Sequence, residues 1–227
     1  MQQLYTRNAR AEVGNSVEVN KVLRNTYMLL ALTLAFSAVT AGIAMAANMS
    51  HGMGLIMSLV AIGLVWFVLP KTANSSKGLL VVFAFTGLIG ASLGPIVNYY
   101  MSMSGGTSIV MQALGGTAVI FFALSGYTLT TRKDFSFLRG FVMTGLIVMI
   151  VCMLVLMGAS MFGFDVSALH LAFSAGIVLL MSALILYQTS AIIHGGETNY
   201  IMATTSLYLS IINLFTSLLH LLGAGNE

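Results

Sequence analysis

His194 and Glu197 lie in the stretch HGGETN (residues 194–199), separated by a pair of glycines. A base, a carboxylate and glycines that open the backbone to a ligand are the parts of an oxyanion loop or of a metal site. Either chemistry needs a third partner: a nucleophile beside its base, or further ligands around the ion. HGGETN supplies none. Cys152 is the only cysteine, so no intrachain disulfide can form and a thiolate metal site is not expected. The sixteen methionines read as apolar filler rather than ligands. No enzymatic activity and no cofactor are expected.

The elements that flank the loop explain it better. The chain of 227 residues is 58% hydrophobic and 7% charged, with a mean hydropathy of +0.97. Soluble domains carry roughly 25% charged residues. Too little polar surface remains to face water, so this is an all-α integral membrane protein. Seven apolar runs have the length of about 20 residues needed to cross a bilayer as helix: 27–47, 53–69, 79–100, 109–130, 138–162, 168–193 and 204–224. Backbone groups in lipid must pair within their own segment, which favours helix over strand. The connections are short and rich in turn residues, and Pro70 is expected to end the second run. HGGETN then reads as a tight turn. Gly195 and Gly196 would end one helix through a left-handed cap, and Glu197 or Thr198 would help to start the next. The sequence divides into a flexible cytoplasmic tail, residues 1–25, and a seven-helix transmembrane domain, residues 26–227. The first run reads as an uncleaved helix, because a signal peptide has a short basic start and a shorter apolar core.

Charge gives the orientation. All nine basic residues fall in the tail, after the second run or after the fourth. The positive-inside rule places these segments and the N-terminus in the cytoplasm and Glu227 outside. This placement, not nucleic-acid binding, accounts for the net charge of +3. The six acids lie in the tail, in loops or at the C-terminus. Ion-coupled transport usually needs a carboxylate at membrane depth, and none of the seven runs supplies one.

Polar residues inside the spans are costly and therefore informative. The seventh run carries Ser206, Ser210, Asn213, Ser217 and His220 at intervals of 4, 3, 4 and 3. At about 100° per residue they fall within an arc of roughly 80°. Such a stripe serves helix packing, or it lines a water-filled cavity to which Asn98, Gln112 and Tyr127 would add; small polar residues favour packing. Either way, the stripe is expected to face protein. Gly90 and Gly94 form a GxxxG pattern for close helix contact, and Pro95 is expected to kink or break the third helix. His170 and His220 are placed near the outer ends of the sixth and seventh helices.

TGLIGASLGPIV (86–97) followed by ALGGTAVIFF (113–122) resembles the signature of the Bax inhibitor-1 family, also called the transmembrane Bax-inhibitor-motif family. KVLRNTYMLLALTLAFSAVTA, YTLTTRKDFSFL and IIHGGETNYI resemble, more narrowly, a bacterial inner-membrane branch of it. The resemblance implies a seven-helix bundle with helix 7 at its centre, surrounded by the other six. Calcium-leak relatives carry an acidic pair on helices 6 and 7, and the matching positions here are Gln188 and Ser210. A Gln–Ser pair can hydrogen-bond but cannot share a proton or attract a divalent cation with net charge. For the bacterial branch, the resemblance implies a partner, the membrane-anchored ATP-dependent protease FtsH, which the chain would bind, modulate and inhibit as a slow substrate. The tail, from Met1, Gln2, Gln3, Leu4 and Tyr5 onward, would be the handle the protease grips. The alternative is a pH-sensitive calcium, cation or proton leak channel.

Overall fold

A computed structural model describes the backbone of residues 2–225 and the side chains of residues 17–225. Each apolar run forms a helix, and no strand occurs among the described residues. The helices are α1 (Gln2–Ala46), α2 (His51–Thr72), α3 (Lys77–Met101), α4 (Gly106–Thr131), α5 (Leu138–Met161), α6 (Ser167–Ile193) and α7 (Tyr200–Ala224). All seven contain a stretch long and apolar enough to cross a membrane; in α1 this is Val17–Ala46.

Two prolines depart from expectation. Pro70 does not end α2. The helix passes through a π-helical turn, Leu64–Val68, and continues from Leu69 to Thr72. The wider turn lets the Leu69 N–H reach the Leu64 carbonyl, and Pro70 then sits in the first turn of the new segment, where no N–H is required. Pro95 does not break α3, which stays helical from Lys77 to Met101. The ring is buried against α2, where Gly54 makes room: a Cβ there would lie 3.4 Å from Pro95 Cγ. The α1 backbone is helical from Gln2, and Val22 and Leu23 pack against the core. Met1 lies outside the described residues, as do the side chains of Gln2, Gln3, Leu4 and Tyr5.

The strongest helix contact joins α1 and α3. At Gly90 an added Cβ would collide with Thr40 Oγ1 and the Ser37 carbonyl and lie 2.6 Å from Ser37 Cα. At Gly94 it would lie 2.6 Å from Ala44 Cβ and 3.1 Å from the Met45 N. Only glycine lets the two backbones approach this closely. The approach brings Ser37 Oγ to 2.7 Å from the Thr86 carbonyl, to which it donates, and to 2.7 Å from the Tyr208 hydroxyl of α7. Tyr208 also reaches Thr86 O at 3.2 Å and stacks edge-on against Phe85, with centroids 5.4 Å apart.

α7 is the most interior span. Half of its most apolar stretch, 50%, is buried, against 11% for α5. It packs directly on α1, α3, α4 and α6, while α2 lies on α3 and α5 lies on α6. The interior gives a direct test. Gly90→Leu should cost about 1–3 kcal/mol through overpacking, read as a lower midpoint of thermal unfolding in detergent. Gly126→Leu should leave the midpoint unchanged, because a Cβ there meets nothing within 4 Å. Equal midpoints for the two variants would show that the α1–α3 contact is not constrained as described.

Candidate functional site

The hairpin of α6 and α7 is closed by HGGETN. Gly195 takes the left-handed conformation (φ 73°), which glycine adopts without steric cost. The chain then folds back so that the Gly196 and Glu197 N–H groups both reach the Ala191 carbonyl, at 2.7 and 3.1 Å. α7 is started by Asn199, not by Glu197 or Thr198. Its Oδ1 accepts from the N–H groups of Ile201 and Met202 at 2.9 and 3.2 Å. Glu197 supports the cap indirectly by accepting the Asn199 N–H at 2.8 Å. The same Asn199 donates through Nδ2 to Ala73 O and Asn74 Oδ1, at 3.1 and 2.7 Å, which ties this loop to the one after α2. An Asn directly before an apolar run is a recognised start signal, so this role was legible.

His194 is exposed, and its Nδ1 lies 2.9 Å from the Ser190 carbonyl of its own helix. Ser190 Oγ accepts the Phe135 N–H at 2.9 Å, which anchors the loop after α4. Asp134 in that loop is held below the usual carboxylate range, chiefly by the Ser136 backbone N–H and also by the nearby His194. HGGETN is therefore one of three knitted loops at one end of the bundle. Its His and Glu are occupied by backbone groups. Among the described residues, no three His, Cys, Asp or Glu side chains converge on a possible metal position.

Gln188 and Ser210, one on each arm of the hairpin, do meet. Ser210 is fully buried and Gln188 is half-buried. The Ser210 hydroxyl lies 3.0 Å from Gln188 Oε1 and 3.1 Å from the Ser206 carbonyl, and its single proton is shared between these acceptors. The contact carries no charge. It stores no proton and presents no anionic cage to a cation.

The rest of the helix 7 stripe divides. Ser217 is buried and Ser206 is half-buried, but Asn213 and His220 are exposed. The buried face of α7 is centred on Leu207, Tyr208, Ile211 and Leu214, and the polar arc straddles its edge. Asn213 satisfies itself by donating to Leu209 O at 2.9 Å. His220 Nδ1 lies 2.6 Å from the Tyr100 hydroxyl. The stripe does not line a polar cavity. A groove of about 710 Å³ does open between α1 and α4, but its floor on α7 is Ile211, Ile212 and Phe215. The other expected contributors are dispersed: Asn98 donates to Met45 O, Gln112 to Ser108, and exposed Tyr127 lies under Lys133. Exposed His170 lies near the start of α6. The residues that sequence reasoning missed are Ser190, Asn199 and the Ser37–Thr86–Tyr208 cluster. Only Asn199 carried a local signal.

Residues 19–227 match the family profile described as inhibitor of apoptosis-promoting Bax1. The chain is 53% identical over 207 residues to the Escherichia coli K12 protein named modulator of FtsH protease YccA, covering 91% of each chain. It is 48% identical to an uncharacterized membrane protein of Vibrio cholerae, covering 99% of this chain and 97% of that one. It is 50% identical to an uncharacterized protein of Pseudomonas aeruginosa, covering 95% of each. With the seven membrane helices, the α6–α7 hairpin and full-length relatives in agreement, the chain belongs to the Bax inhibitor-1 family.

Proposed function

We propose that this protein is a non-enzymatic, multi-pass protein of the bacterial inner membrane that binds the FtsH protease and restrains it by being degraded slowly. The observation that carries this reading is the 53% identity, over 91% of both chains, to a relative named as a modulator of that protease. The neutral Gln188–Ser210 contact supports it against the leak-channel alternative. Cation and proton pathways are usually marked by a carboxylate at membrane depth, and no Asp or Glu lies within any of the seven spans except Glu18, near the start of the first.

A processive protease needs a segment to pull and meets resistance where the fold is tight. Residues 1–25 are the handle in this reading, placed in the cytoplasm by the positive-inside rule. The tight α1–α3 contact at Gly90 and Gly94 is then a strong obstacle to pulling α1 out. Extraction stalls there, and the protease stays occupied.

Deleting residues 2–20 should lengthen the lifetime of the protein in cells that contain FtsH and abolish its effect on other substrates of the protease. Unchanged turnover together with an unchanged effect would remove the handle from the account. In liposomes loaded with a calcium dye, the purified protein should pass no calcium between acid and neutral pH. Robust pH-dependent flux would favour the channel instead.

A further inference from the structure

We propose that the open edge of α7 is a self-association surface: it packs against the same edge of a second copy of this chain, and the two Asn213 carboxamides pair at mid-membrane. The edge is Ser206, Leu209, Asn213, Thr216 and His220, at intervals of 3, 4, 3 and 4. It lies on the side of α7 turned away from Leu207 and Ile211. α6 flanks it where Ser210 meets Gln188, and α3 flanks it at the outer end, where Tyr100 meets His220. Among the described residues α3 and α6 do not pack on one another, and α5 does not reach α7. The edge between them is left open: Asn213 and His220 are exposed, and Ser206, Leu209 and Thr216 are half-buried.

Asn213 says what the occupant must offer. It lies within one residue of the middle of the span Tyr200–Ala224. A carboxamide has two N–H donors and an acceptor oxygen. The bond to Leu209 O, at 2.9 Å, satisfies one N–H. Among the described residues the second N–H and Oδ1 meet no partner. At this depth the medium is hydrocarbon, which supplies neither donor nor acceptor, and a polar group left open to it is costly. The backbone of a neighbouring helix is committed to its own ladder. A side chain that carries both a donor and an acceptor is what completes the site.

A second Asn213 is that side chain. Copies of one chain insert with the same topology, so their α7 helices run parallel. A two-fold axis along the membrane normal then sets each Asn213 opposite its equivalent, at the same depth. Each Oδ1 accepts the free N–H of the other, and both carboxamides are fully used. The spacing fits the same arrangement. Intervals of 3 and 4 over two heptads form the seam of a parallel two-helix coiled coil, in which a single Asn fixes the register. Ser206 and Thr216, either side of Leu209 and Asn213, are small enough for close approach. α7 contains no Asp, Glu, Lys or Arg, so two copies of it bring no charges together.

The test uses the full chain in liposomes and in native membranes. With Cys152→Ala as background, Leu209→Cys and Thr216→Cys should each give a disulfide-linked dimer on mild oxidation. Val119→Cys, which is 69% exposed on α4, should stay monomeric. Energy transfer between labelled copies, followed against the protein-to-lipid ratio, gives the association constant. Asn213→Leu should lower it about ten-fold and keep the unfolding midpoint of the monomer, while Asn213→Gln, which retains the carboxamide, should keep most of the association. An unchanged association constant in Asn213→Leu, or dimers from Val119→Cys as abundant as those from the seam positions, would overturn the proposal. Cross-linking of Leu209→Cys only to a different protein, with no homodimer, would overturn it too.

Discussion

In a bilayer the tails around a helix are as apolar as its own side chains, so α1 and α3 gain little by hiding hydrophobic surface from solvent. They are held by contact, and the contact distance is set where Gly90 meets the backbone of α1 at Ser37 and Thr40. At that distance Ser37 reaches across to the Thr86 carbonyl, and Tyr208 of α7 joins the same group. Interhelical hydrogen bonds in membranes contribute about 0.6 kcal/mol each, so this cluster is not the main source of stability. It acts on register. A buried hydroxyl left without a partner costs about 1–3 kcal/mol, and sliding any of the three helices would strand one. The interior position of α7, and with it the placement of Ser210 beside Gln188, follows from that registration.

Much of the fold was legible because hydropathy reports burial in lipid directly. The seven spans, the short turns and the close contact at Gly90 and Gly94 all follow from residue type and spacing. The prolines were harder. Pro70 and Pro95 each lack a donor, but whether a helix stops depends on its neighbours: a π turn accommodates one, and Gly54 on another helix accommodates the other. The stripe on α7 shows a second limit. Period alone places Asn213 and Ser210 on one arc, yet one is exposed and the other fully buried. Which edge of an arc meets protein is decided by where α4 and α6 stand, and no local pattern encodes that. Ser190 illustrates the same point, since its partner lies 55 residues away.

For function, the hairpin is informative through what it lacks. HGGETN has the residue types of a reactive loop, but His194 is turned back onto α6, and Glu197 and Asn199 are taken up in starting α7. Gln188 and Ser210 form a neutral contact that neither stores a proton nor offers a cation net charge. What remains is a tightly registered bundle with a long N-terminal helix at one end and an apolar groove open to lipid on one side. Such a molecule suits a protein that acts by resisting another machine and by holding its place in the membrane.

The central claim is that this chain restrains the protease rather than conducting ions. It is tested most directly by reconstituting purified FtsH in proteoliposomes with increasing amounts of this protein and following degradation of an unrelated membrane substrate. The account predicts that substrate loss slows as the protein is added while the protein itself disappears more slowly than the substrate. Substrate degradation at an unchanged rate, with saturating protein present and intact, would contradict it.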